Sequence, residues 1–225
     1  GLLLGVDRYR IELASAGSTL VLGDPASPVR CAGEDRSTPP LDLTTLPTIC
    51  SRVGIDLHPV RLDDPVQLRW LEACLWPDVP GRVERFRTAV AALREQPPRV
   101  RRADMVDDLP ATIAAAAAPQ ATGHHLVVFS SWALTYVPRS RRPAVARALR
   151  DVATGGMPVS WLSAEPSGCV PGIPVPAGLT AGDSATVLGA RRWRAGRELA
   201  PIAWGTCHPH GQWIDLSSDA VEGGG

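Results

Sequence analysis

Between Val53 and Glu165 the chain repeats one pattern, a short β-forming run followed by a helical stretch with one apolar face, and that alternation leaves few folds open. "RVGIDLHPVRL" carries a strand at Val53–Leu57. In "DDPVQLRWLEACLW" Asp63 or Asp64 suits a helix N-cap, Pro65 suits the first turn, and Leu68, Leu71 and Leu75 share a face. A second helix is predicted over residues 80–95, with Val83, Phe86, Val90 and Leu93 as its stripe and Pro97 and Pro98 stopping it. "RVRRADMVDDL" reads as a strand ending near Asp104, and Leu109–Ala118 as an alanine-rich helix closed by Pro119. Leu126–Phe129 is a continuous apolar β-forming run, the pattern of a parallel strand covered on both faces. "SRRPAVARALRDVATGG" is a helix with a Gly-Gly C-cap, and "MPVSWLSAE" is the strand after it. The final third alternates apolar and polar residues around "RAGR", which predicts an antiparallel hairpin. The expected fold class is therefore α/β, with a mostly parallel sheet flanked by helices and an antiparallel edge.

Composition narrows the function classes. The 23 basic and 23 acidic residues cancel, so no global field draws the chain to nucleic acid or to a membrane surface. Every basic residue is arginine, and the chain holds neither lysine nor asparagine, a bias that fits a GC-rich genome. The 5 cysteines are scattered, odd in number and never in a CxxC pair, which argues against a disulfide framework or a zinc ribbon and for a reducing, cytoplasmic setting. No apolar run reaches the ~20 residues of a membrane span.

Residues 1–13 read as a short helix running into a strand. Residues 14–47 are rich in Gly, Pro, Ser and Thr and are expected to be an irregular insertion or lid, with one short strand at Ser18–Leu22. The expected organisation is one α/β domain over residues 1–217, with 218–225 as a flexible tail.

Ligands of open α/β sheets bind outside the carboxyl ends of the strands. Asp56 ends the first predicted strand, Asp104 the second, Ser130 and Ser131 the third, and Glu165 the fourth. An acidic residue at such an end can accept from both hydroxyls of a ribose, and one after the following strand from an adenine amine. Alone, Asp56 reads as well as a turn-forming residue before Pro59, and Asp104 as a helix N-cap. The ordered series favours the ligand. Trp132, just past the third strand, could line a pocket.

The order of these segments resembles that of Rossmann-type S-adenosylmethionine-dependent methyltransferases, with a terminal hairpin closing the sheet. More closely, the chain is identified as a member of an uncharacterised bacterial family, domain of unknown function 2332. The pieces that carry this are "DRYR", "RVGIDLHPVRLDDP", "WLEACLWPD", "RVERFRTAV", "PPRVRRAD", "VVFSSWALTYVP", "PVSWLSAE" and "CHPHGQW", which span nearly the whole chain. The resemblance implies S-adenosylmethionine as cofactor and an unidentified methyl acceptor. Asp56 and Leu57 would hold the ribose, Asp104 and Met105 would lie by the adenine, and Ser130 and Trp132 would face the methyl end. The family's glycine-rich stretch would precede this sequence, with only its last residue, Gly1, represented, so the first strand is expected to be missing from this chain. Leu3, where Asn is usual, and Arg61, where an acidic residue often stands, are two further departures.

Methyl transfer needs positioning more than acid–base chemistry, because the sulfonium is already a good leaving group. Should a base be needed, Tyr136, Glu165 and His210 are the candidates. Cys207, His208 and His210 are soft-ligand types, but no third and fourth partner is evident, so a structural turn or a pocket-wall proton donor outranks a metal site. Gly-x-Ser-x-Gly, Walker and HExxH patterns are absent, which disfavours hydrolases, NTPases and zincins. Two readings from other classes stay open: a non-catalytic binding or scaffold protein on the same fold, and a dinucleotide-dependent oxidoreductase, the latter disfavoured by its incomplete glycine fingerprint.

Overall fold

The computed structural model describes residues 2–43, 46–76, 79–117, 123–182 and 185–222. The chain falls into two compact units, Gly1–Gly33 with Asp42–Asp104, and Glu34–Leu41 with Met105–Gly225.

In the first unit a 3-10 helix, Leu2–Arg8, leads into β1 (Arg10–Ser15). β1 pairs antiparallel with β2 (Ser18–Gly23), and the first residues of β3 (Arg30–Asp35) lie at its other edge. The stretch 14–47, expected to be mostly irregular, thus holds the anticipated strand at Ser18 and a second one at Arg30–Asp35 that pattern alone did not show. β3 is Arg-Cys-Ala-Gly-Glu-Asp, poor in β-branched residues, so neighbouring strands rather than propensity make it a strand. Tyr9, Val29 and Ala89 form a small core here, with Cys31 and Ala92 packed against it.

β4 (Val53–Asp56) and β5 (Arg99–Arg102) form a separate parallel pair, in register from Val53↔Arg99 to Asp56↔Arg102. Parallel neighbours require a crossover, and the chain supplies two helices, α1 (Pro65–Ala73) and α2 (Arg82–Glu95). Asp64 caps α1 through its carboxylate, which accepts from the Val66 and Gln67 amides at 2.9 and 3.1 Å, with Pro65 in the first turn. α2 buries Phe86, Ala89, Val90 and Leu93. Each large apolar side chain so buried stabilises the fold by about 1.5–3 kcal/mol.

In the second unit β6 (Leu126–Ser131) and β7 (Val159–Pro166) are parallel, joined through α4 (Pro143–Thr154), and α3 (Leu109–Ala117) packs on α4. Antiparallel pairing then carries the sheet outward through β8 (Thr186–Arg194), β9 (Arg197–Cys207) and β10 (Trp213–Glu222), and Glu34 and Asp35 of β3 pair parallel with Trp213 and Ile214. The hairpin expected around "RAGR" forms, with Ala195 at φ 50° and Gly196 at φ 74°, the positive-φ pair that a two-residue turn matched to strand twist requires. Its core includes Leu149, Ala153, Val159, Trp161 and Trp193.

The architecture is α/β with mixed, partly parallel sheet. Two expectations need correcting. The large sheet is not mostly parallel with an antiparallel edge: β1–β2, β7–β8, β8–β9 and β9–β10 all pair antiparallel, because these neighbours are joined by turns or loops and not by helical crossovers. β6 was predicted to be covered on both faces, yet Val127 is 51% and Phe129 46% exposed, and β6 stands last in its sheet order.

Candidate functional site

In the first unit the parallel pairing of β4 with β5 sets their carboxyl ends side by side. Asp56 stands opposite Arg102, and the amide of Ala103 donates to the Asp56 carbonyl at 3.0 Å, so Asp104 leaves β5 beside the residue that ends β4. The Asp56 carboxylate does what a turn-forming residue does: Oδ1 accepts from the His58 amide at 2.8 Å. It also borders a cavity of about 590 Å³. Asp56 thus holds the turn and stands on the cavity wall at once.

Phe86, Val90 and Leu93 of α2, Leu68 and Leu71 of α1, and Val100 of β5 give this cavity an apolar interior. Its charged groups are Asp56, Arg61, Asp63 and Arg94. Arg61 and Asp63 hold each other through two hydrogen bonds, at 3.0 and 2.7 Å, and the bond from Arg61 keeps the Asp63 carboxyl below its usual range. Arg94 is oriented by a bond from Nε to the Leu62 carbonyl at 2.8 Å. The volume falls within the ~300–1,000 Å³ of small-molecule sites, and an apolar interior with a few fixed polar groups is their usual make-up. Leu57, placed by the resemblance at the ribose, is exposed beside Asp56.

Met105, Ser130, Trp132, Tyr136, Glu165 and His210 belong to the second unit. Gly1 lies outside the described residues. Met105 is half-buried in the turn before α3. Ser130 Oγ accepts from the Trp161 indole at 3.2 Å. Trp132 follows β6 at φ 49°, a left-handed conformation rare for a large side chain, and its indole donates to Thr186 Oγ1 at 2.8 Å. Glu165 lies under that turn, 1% exposed, with Oε1 accepting from the Ala133 and Leu134 amides. Tyr136, by contrast, is 84% exposed. Of the three base candidates, Glu165 is bonded into the Trp132 turn through its side chain, and Tyr136 through its backbone amide, which donates to the Ala133 carbonyl at 3.2 Å.

His210 sits in the turn between β9 and β10, where its amide meets His208 Nδ1 at 3.1 Å and the two rings lie 5.7 Å apart. Burial pushes the Cys207 thiol up to about 11. Among the described residues no group of three or more His, Cys, Asp or Glu is placed to hold a metal. Within "CHPHGQW", Cys207 ends β9, Trp213 begins β10, and residues 208–212 connect the two strands.

Sequence reasoning missed the walls of the cavity. Phe86, Val90 and Leu93 were legible as a buried stripe, but a stripe facing a core and a stripe facing a cavity have the same spacing. Arg94, one position after the stripe, carried no signal, and Arg61 stood out only as a departure.

The family model described as "Uncharacterized protein conserved in bacteria (DUF2332)" matches residues 1–216. The chain belongs to this family. Comparison with curated proteins and with solved structures gives no match. No helix among the described residues of this family member is long and apolar enough to cross a membrane.

Proposed function

We propose that this member of the DUF2332 family is a methyltransferase-like protein that binds S-adenosylmethionine at the carboxyl ends of β4 and β5, on a Rossmann-like arrangement. The observation that carries the reading is Asp56, an acidic residue ending a parallel strand and bordering a cavity of about 590 Å³. The crossover β4–α1–α2–β5, the parallel β6–β7 pair and the antiparallel strands that follow support the fold reading.

The donor set fits the cofactor's nucleoside. Asp56, on the cavity wall, would accept from the ribose hydroxyls, and Asp104, leaving the adjacent strand end outside the cavity lining, would accept from the exocyclic amine; Phe86, Leu71 and Val100 would give the ligand an apolar wall. When bound, the cofactor supplies a methyl group on a sulfonium. The protein's part is then to orient the donor and keep the cavity dry.

A second reading, a non-catalytic binding or scaffold protein on a degenerate form of the fold, is favoured by one observation: Arg61, standing where an acidic residue is often found, borders the cavity and is paired with Asp63. Calorimetric titration of S-adenosylmethionine separates the readings when paired with methyl-transfer assays using isotopically labelled cofactor and a bacterial small-molecule extract. Binding that is lost in Asp56→Ala, with label transferred, supports the enzyme. No binding sinks the enzyme reading and supports the second, in which the fold is kept and cofactor affinity is lost.

A further inference from the structure

Glu165 is a buried carboxylate with an incomplete set of partners. Oε1 accepts from the amides of Ala133 at 3.1 Å and Leu134 at 3.0 Å. Oε2 is shielded from solvent and has no hydrogen-bond partner in the protein. Buried polar atoms left without protein partners are commonly satisfied by ordered water. A small cavity adjoins this residue, lined by Ser163, Glu165, Gly168, Val170, Ile173 and Val187, among others, and measures about 10 Å³. That is room for about one water molecule.

The chemistry of the walls selects the occupant. Ser163 gives its proton to the Gly189 carbonyl at 3.3 Å, so toward the cavity its hydroxyl offers a lone pair. Glu165 Oε2 likewise only accepts. An occupant must donate twice, to one carboxylate oxygen and one hydroxyl oxygen. The other walls are largely aliphatic, too poor in oxygen for the six or more ligands that calcium or magnesium requires. Water meets the requirement.

The turn above Glu165 shows what the site does. Trp132 holds φ 49°, its amide donates to the Ala164 carbonyl at 3.0 Å and its indole to the buried Thr186 at 2.8 Å. The next two amides end on Glu165, so the strained residue is fixed from both sides of its peptide unit. We propose that the cavity beside Glu165 is a site for a single water molecule, and that Glu165, held by this water through Oε2, is the positioning residue that fixes the Trp132 turn at the carboxyl end of β6. The proposal stands apart from the cofactor reading and is tested without any cofactor.

Oxygen-17 magnetic relaxation dispersion counts waters held inside a protein. Wild type is expected to hold one more long-lived water than Ser163→Ala, which keeps the fold but removes one acceptor; equal counts overturn the site. Melting in sodium, potassium, ammonium or tetramethylammonium chloride at one ionic strength is expected to give the same midpoint, and a rise specific to one small cation overturns water as the occupant. Hydrogen exchange tests the positioning role. Exchange at the Ala133 and Leu134 amides should rise about tenfold in Glu165→Gln, because a neutral acceptor binds them less strongly than a carboxylate. Glu165→Leu should lose their protection altogether and move Trp132 emission to the red, read as a difference from Trp132→Phe. If Glu165→Leu does not fold, the Gln variant decides alone: unchanged exchange at these amides overturns the role.

Discussion

At the scale of single residues, burial and hydrogen bonding separate groups that look alike in sequence. The cysteines illustrate this. Cys50 and Cys74 are exposed, whereas burial raises the thiols of Cys31, Cys169 and Cys207, the last to about 11. Alkylation at neutral pH, followed by mass spectrometry, should label Cys50 and Cys74 first and Cys207 among the last; early modification of Cys207 would contradict its burial. Asp7 makes a different case. Arg52 grips it with two hydrogen bonds, at 2.7 and 2.9 Å, and also reaches the Leu4 carbonyl, which holds the Asp7 carboxyl below its ordinary value of 3.8. A carboxyl depressed in the folded state contributes stability above its unfolded value and loses it as pH falls through the folded one. The gap in urea midpoint between wild type and Asp7→Asn should therefore be full near neutrality and narrow below about pH 4, where protonated Asp resembles Asn. A gap that persists unchanged into acid would show that the pair is not what the variant disturbs.

At the scale of elements, the sequence was most readable where local chemistry decides the outcome. Asp64 followed by Pro65 announces a helix start because both act within one turn, and α1 begins there. The Phe86, Val90, Leu93 stripe announced α2 for the same reason. Strands were readable as strands and not as neighbours. Leu126–Phe129 has the apolar run of a buried strand, but what covers a strand is decided by distant segments, and Val127 and Phe129 stay half exposed. β3 was invisible because its strand character comes from pairing, Glu34 and Asp35 with Trp213 and Ile214, across a separation no local window spans. Gly205 shows pairing demanding a residue type. It lies in β9 at φ 154°, and a Cβ there would strike the carbonyl oxygen of Asp215 and crowd Leu216 in β10. No rotamer relieves a clash with backbone, so the strands would have to part. Gly205→Ala is expected to cost about 1–3 kcal/mol in urea unfolding, the range for forced overpacking. A variant as stable as wild type would mean that β9 and β10 are not so closely apposed.

For the molecule as a whole, the sequence order of strand ends pointed to Asp56 and Asp104, and the β4–β5 pairing brings those two ends together. The cavity was not foreseeable, because its volume depends on how α1 and α2 lean over two strands and not on any spacing along the chain. That independence gives a way to test the carboxylate and the cavity separately. Leu71→Trp adds bulk from a half-buried position on α1 into the cavity while leaving Asp56 and its bond to His58 in place. Because the added ring enters open volume and not a filled core, unfolding in urea should shift by no more than about 1 kcal/mol. S-adenosylmethionine binding should fall at least about tenfold, equivalent to about 1.4 kcal/mol, since the ring excludes the apolar part of the ligand. Asp56→Ala should weaken binding as well, by removing the acceptor for the ribose, with the cavity left open. If Leu71→Trp binds as wild type does while Asp56→Ala does not, the nucleoside lies over the strand ends outside the cavity. If neither variant alters binding, the ligand is held elsewhere in the chain and Asp56 is a turn residue alone.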